Sequence, residues 1–216
     1  MNNVVGSYFV PLFFICGAGA LWFLAYRFIS AKKAEFRNFG IGLALYGMAF
    51  AIWAVVVLIK PADLGPLTTV GAVPFMSAHI FFLLAATNKL KAANKSLILA
   101  GGLAYLVVLF VLRTFVYPSD PSFSSKGLFY FHTQPPIIAL YIIAFAATLL
   151  PAITTVSQLI KDKRLRSISQ IGFTAAAVGG IVLVTSYDDN LQTLNGYIMG
   201  VTYIVLLTAF ARKKIA

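Results

Sequence analysis

The chain has 216 residues, 60% of them apolar and 11% charged, with a formal net charge of +11. A soluble domain carries roughly 25% charged residues, and so few charges do not cover a water-facing surface of this size. A mean hydropathy of +0.89 places most of the chain in lipid, which excludes a soluble globule, a disordered tail and a disulfide scaffold; the single cysteine, Cys16, forms no internal disulfide.

Charges and turn residues cut the sequence into seven apolar runs, at about residues 8–29, 39–59, 68–87, 96–116, 133–155, 168–186 and 191–211. Each approaches the roughly 20 residues that a helix needs to cross the hydrocarbon core. They are too long and too evenly apolar for barrel strands. Backbone groups in lipid must bond internally, which leaves helices. The expected fold is therefore an all-α integral membrane protein, one seven-helix transmembrane domain over 1–216, at the cell membrane. The first run has no basic residue before it and exceeds a secretory h-region, so it reads as a retained helix. Pro11 is expected near its first turn, where a missing N–H costs little. Helix 5 opens on Pro135 and Pro136. The two proline starts suit a three-plus-one-plus-three repeat, although no other sequence match accompanies them.

The basic residues alternate with the helices. Arg27, Lys32, Lys33 and Arg37 flank the first connection, Lys89, Lys91 and Lys95 the third, and Lys161, Lys163, Arg164 and Arg166 the fifth, while Arg212, Lys213 and Lys214 follow helix 7. These are fourteen of seventeen basic residues. Lys60, Arg113 and Lys126 fall on the other side, together with Asp63, Asp120, Asp188 and Asp189; Glu35 and Asp162 accompany the basic loops. The two sides sum to +12 and −1, and the bias predicts an outward N-terminus and a cytoplasmic C-terminus. The net charge is thus a topology signal with some attraction to anionic lipid, and nucleic acid is not an expected partner.

One connection is long. Residues 117–132 hold Pro118, Pro121, several serines and Gly127, then Phe129, Tyr130 and Phe131. The first part reads as turns. The aromatic part reads as an interfacial anchor leading into helix 5, with a lid over an outward pocket as the alternative.

No Asp or Glu lies within the seven runs. Proton relays and ion-coupled carriers depend on intramembrane carboxylates, so that chemistry is disfavoured. His-Glu-x-x-His, Gly-x-Ser-x-Gly and the phosphate-binding Gly-x-x-x-x-Gly-Lys are also absent. His79 lies near the middle of helix 3, roughly 15 Å from its outer end. It either satisfies itself on a Ser, Thr or carbonyl of a neighbouring helix or contacts a ligand, haem or metal beside a cavity. His132 is expected to open helix 5, some two turns above His79, a poor match for a bis-histidine haem. Cys16 is expected to be a small buried apolar residue, and no metal site is expected. Arg113 either snorkels to the headgroups or turns inward to meet Asp188 or Asp189. Convergence of Arg113 with His132, Tyr187 and Asp188 would make a polar outer mouth. Asn195 lies one turn inside helix 7 and needs a partner. Gly172, Gly179 and Gly180 in helix 6, Gly196 and Gly200 in helix 7, and Gly40, Gly42 and Gly47 in helix 2 suit close packing. Pro74 and Pro151 are expected to kink or unwind their helices. Tyr8, Tyr117, Tyr130 and Tyr187 suit the outer belt, whereas Tyr46, Tyr105, Tyr141, Tyr197 and Tyr203 lie deeper and either pack or line an aromatic cavity.

Seven helices, an outward N-terminus and little more than 200 residues resemble the layout of the microbial rhodopsins. That family carries retinal on a lysine in the middle of helix 7 and carboxylates in helix 3. Residues 191–211 contain no lysine and residues 68–87 no carboxylate, so covalently bound retinal is not expected. The layout also resembles the seven-helix input modules of some bacterial membrane sensors, here with no output domain expected after Lys214. Both likenesses are of architecture alone. Small-ligand binding, sensing or uncoupled transport through an outward pocket is the leading expectation. A structural or accessory subunit with a partner chain or a second copy, and a haem-binding or lipid-modifying enzyme, are the alternatives.

Overall fold

A computed structural model describes residues 3–59, 64–88 and 90–212, with side chains described from residue 9 onward. Lys60, Asp63, Lys89, Lys213, Lys214 and the Tyr8 side chain lie outside the described residues. Seven helices long and apolar enough to cross a membrane account for most of the chain: α1 (Asn3–Ile29), α2 (Ala34–Ile59), α3 (Gly65–Thr87), α4 (Ala92–Val116), α5 (Pro135–Leu159), α6 (Lys163–Thr185) and α7 (Asp189–Arg212). The molecule is an all-α, multi-pass integral membrane protein of the cell membrane.

Most helices run past their apolar runs, and α2, α4 and α6 each start four or five residues earlier, within charged sequence. Lipid sets the length of the apolar stretch, but backbone hydrogen bonding continues through the headgroup layer. Asp162 stops α6 from extending further, because its carboxylate accepts the Leu165 amide at 2.9 Å as an N-cap. Short connections force neighbouring helices to run antiparallel. The loops after α1, α3 and α5 lie at one end of the bundle, here the basic end, and the loop after α4 lies at the hairpin end.

Helices α1, α2 and α3 pack most closely, and α6 pairs with α7. Lipid tails are as apolar as leucine, so close approach and dispersion hold helices together. A Cβ at Gly42 would sit 2.5 Å from the Phe82 ring, one at Gly40 2.9 Å from the Ala25 carbonyl, and one at Gly172 2.7 Å from Leu206. The expected packing role holds at these positions. It fails at Gly200, where nothing lies within 4 Å, so the Gly196–Gly200 pair is not a continuous contact face. At the basic end Phe28, Phe39, Phe173 and Phe210 interlock, with ring centroids 5.1–6.1 Å apart. Helix α4 is the outlier: it buries only Leu106, Leu109 and Arg113.

Several expectations are corrected. Pro11 lies inside α1, because the helix already begins at Asn3. Pro135 and Pro136 do start α5, so the two proline positions are not equivalent and do not support a repeat. Cys16 is exposed on α1 and faces the lipid rather than the core. Pro151 follows the unwinding half of what was expected of it. The turn before it, Phe145–Leu149, widens into a π-helix, which accommodates the ring and the missing N–H. A second π-turn, Leu112–Val116, ends α4.

The long connection is not an interfacial anchor. It folds into a short antiparallel hairpin of β1 (Ser122–Phe123) and β2 (Phe129–Tyr130), with Ser122 opposite Tyr130 and Phe123 opposite Phe129. Gly127 makes the turn at φ 79°, a conformation that costs glycine nothing. Leu128, Phe129, Tyr130 and Phe131 are all buried, and the Phe131 ring meets Trp53 edge-on at 4.8 Å. The hairpin therefore seals one end of the bundle. His132 does not open α5. It stands at the hairpin exit with φ 44°, a left-handed conformation that is uncommon outside glycine.

Candidate functional site

The most connected buried polar group is His79. Its Nε2 lies 3.0 Å from the Tyr46 hydroxyl and its Nδ1 2.6 Å from Thr148 Oγ1. Thr148 in turn donates to the Ala144 carbonyl at 2.8 Å. These contacts select one arrangement of protons. Because the Thr148 hydrogen goes to the carbonyl, its oxygen accepts from Nδ1–H, and Nε2 accepts from Tyr46. The relay ties α2, α3 and α5 together with a neutral imidazole and leaves no nitrogen unpaired. Thr148 sits on the π-turn of α5, which gives that widened turn a function in placing the residue. Phe75, Phe82 and Phe145 surround the ring edge-on at 5.2–6.1 Å.

Beside this relay lies a small cavity of about 40 Å³. Its walls come from every helix except α4 and include Leu21, Tyr46, Phe75, Phe145, Met199 and Tyr203. His79 itself does not line it; Tyr46 stands between, stacked on Phe75 at 4.7 Å. Tyr46 and Tyr203 are the lining residues with a polar side-chain group, and the other side chains offer ring, aliphatic carbon and sulfur. A second, narrower space of about 30 Å³ lies under the hairpin, walled by Phe9, Phe14, Phe129, Leu183, Gln192 and Asn195. Asn195 finds its required partner there, donating to the Gly179 carbonyl at 2.9 Å. Gln192 donates to the carbonyls of Leu183 and Ser186.

The hairpin is fastened to α7. Tyr130 donates to Asp189 Oδ1, and Lys126 Nζ lies 3.6 Å from Asp189 Oδ2. Burial pushes the Tyr130 phenol up, and its bond to the carboxylate pushes it further. Nearby, His132 Nε2 lies 2.7 Å from Ser122 Oγ and its ring 5.1 Å from Tyr187. Tyr187 donates to the Thr133 carbonyl at 2.7 Å. Asp120, Ser122, His132, Gln134 and Tyr187 form a cleft of about 390 Å³ on the outside of the hairpin.

The expected polar mouth is therefore assembled only in part. His132 and Tyr187 meet. Asp188 is exposed and caps its own helix through the Leu191 amide at 2.7 Å. Arg113 is buried and neither snorkels nor pairs with Asp188 or Asp189. Its Nη1 donates to Thr69 Oγ1 at 3.3 Å, Tyr141 is its other polar neighbour, and its Nε has no partner. The Thr68 hydroxyl is a second buried group with no partner. Thr148 and Gln192 were not singled out from the sequence. The need of His79 for a Ser or Thr partner was the one signal that pointed to Thr148; Gln192 left none.

No protein-family model and no curated protein sequence matches the chain.

Proposed function

We propose that this membrane protein binds a small, uncharged and mainly apolar ligand in the centre of the bundle, as a sensor or an uncoupled carrier. The observation that carries this reading is the aromatic cavity shared by six helices, with Tyr46 and Tyr203 as its lining residues that bear a polar side-chain group. A wall of that kind favours a planar or aliphatic body with one hydroxyl or carbonyl. At about 40 Å³ the cavity takes a few waters at most, so the structure corresponds to a closed form and binding requires repacking of its walls. Entry from the hairpin end would require the hairpin to lift, and the smaller space under Phe129, between the hairpin and the core, supports that route. The basic-residue bias supports an outward position for that end. The absence of carboxylates from the apolar runs favours a carrier without ion coupling. Haem is a weaker reading, because an iron would have to displace a hydroxyl from one of the two His79 nitrogens.

Gly180 supplies the test. It lines the cavity, and a Cβ there would lie 3.6 Å from Phe145, an ordinary contact. Gly180→Val fills the cavity without disturbing the hydrogen-bond relay. Small molecules extracted from the purified wild type are expected to include one apolar species in near-stoichiometric amount that is missing from Gly180→Val, and 2-naphthol is expected to quench Trp53 fluorescence in the wild type only. Equal extracts and equal quenching in the two proteins would overturn the reading.

A second reading, an accessory subunit, is supported by α4. Leu97, Leu103, Val107 and Phe115 are exposed on it, and Gly101 has nothing within 4 Å. A lone monomer in mild detergent would count against a partner on that face.

A further inference from the structure

At the basic end, opposite the hairpin, the first turns of α6 and the last turns of α7 part to leave a groove of about 400 Å³. Its floor is apolar: Leu165, Ile168, Ile204 and Val205 line it with Thr208 and Ala209. Its rim carries two arginines, Arg164 and Arg212, both exposed. We propose that this groove holds one anionic phospholipid, its phosphate between the two guanidiniums and part of an acyl chain along the floor.

The distribution of charge favours this occupant. Arg164 lies at the positive end of α6 and Arg212 at the negative end of α7; the two dipoles roughly offset each other, so the field at the rim comes from the basic side chains, of which these two line the groove. The neighbouring Arg166 is committed elsewhere, donating to the Ile160 carbonyl at 2.8 and 3.0 Å. Asp162, the acid closest in sequence, turns its carboxylate to the Leu165 amide. Planar, forked guanidiniums match phosphate oxygens better than ammonium groups do. From Arg212 to Ile204 the floor runs about 12 Å along the helix, at 1.5 Å per residue. An arginine rim over an apolar floor fits a molecule with a charged head and a hydrocarbon tail. A free phosphate ion would use the rim alone.

The experiment uses the full chain purified in neutral detergent. Phosphatidylglycerol and phosphatidylcholine with identical acyl chains are titrated and bound lipid is counted by native mass spectrometry. Wild type is expected to take up one phosphatidylglycerol saturably, with at least tenfold preference over phosphatidylcholine. Arg164→Gln/Arg212→Gln is expected to bind roughly thirtyfold more weakly, or about 2 kcal/mol at 1.4 kcal/mol per decade. Ala209→Trp, which keeps both charges and fills the floor, is expected to weaken binding at least fivefold. Lys32→Gln/Arg37→Gln removes two exposed charges from the same end and is expected to change binding less than twofold. Equal binding of the two lipids by wild type overturns the proposal without recourse to any variant. So does an equal loss in Lys32→Gln/Arg37→Gln, which would mark a diffuse surface field, or full competition by glycerol 1-phosphate at matched concentration, which would mark a site for the head alone.

Discussion

His79 and Arg113 are both buried nitrogen-bearing side chains inside an apolar bundle, and both lean on π-turns, yet their surroundings differ. His79 has a hydroxyl on each nitrogen, and its proton positions follow from the chain that ends on the Ala144 carbonyl. Arg113 has a threonine at 3.3 Å, a tyrosine nearby and an orphaned Nε, and among the described residues no carboxylate pairs with it. A neutral group with complete hydrogen bonding fastens helices together. A buried cation without a counter-charge costs several kcal/mol and is tolerated only where something else is gained. The first arrangement fastens helices beside a cavity, and the second leaves part of a cation's hydrogen-bonding capacity unused.

The largest expected effect concerns the relay. His79→Leu keeps the volume but removes two interhelical bonds and strands the Tyr46 hydroxyl, and should lower stability by about 2 kcal/mol, measured by unfolding in mixed micelles. Arg113→Met should move stability by less than about 1 kcal/mol, and upward if at all. A loss as large as that of His79→Leu would break the contrast and show Arg113 to be fully satisfied. A smaller effect is expected at the hairpin. In a Cys16→Ser background, a probe introduced as Leu128→Cys should be labelled about fivefold faster when Asp189→Asn weakens the contacts to Tyr130 and Lys126, equivalent to about 1 kcal/mol. The smallest effect is a pH dependence. The folded state holds Tyr130 protonated, with its pKa raised above the ordinary 10.0. Its contribution is present in full below that value and fades as pH climbs through the raised one, so labelling, divided at each pH by the rate of a small free thiol to remove the effect of thiolate formation, should accelerate only in strong alkali. Acceleration of the normalised rate near neutral pH would show that another group holds the hairpin.

Much of the fold was legible because lipid imposes a simple rule. Seven runs of about 20 apolar residues leave few alternatives, and the helix-2 glycines announced close contacts that the structure contains. The candidate site was less legible. His79 was identifiable as the one histidine deep in a run, and its partner type was foreseeable, but Thr148 lies 69 positions away. Arg113 was expected either to snorkel or to reach Asp188 or Asp189, the latter because all three share one level of the bundle. Depth along the axis is readable from sequence; rotation about it is not. The hairpin was misjudged for a related reason. Phe129, Tyr130 and Phe131 have the composition of an interfacial belt, and only the turn at Gly127 directs them inward.

By itself the sequence determined the solvent, the number of crossings, the charge asymmetry between the ends and the absence of acids from the apolar runs. Each of these depends on composition along the chain, which a bilayer converts directly into position. The tertiary structure decided which face of each helix is inside, which polar groups are satisfied, where the cavity lies and what the long loop covers. These helices are apolar on almost every side, so hydrophobic periodicity cannot mark a buried face. Their rotations are set by glycines, aromatic edges and a few hydroxyls, contacts between residues far apart in sequence that exist only once all seven helices are packed.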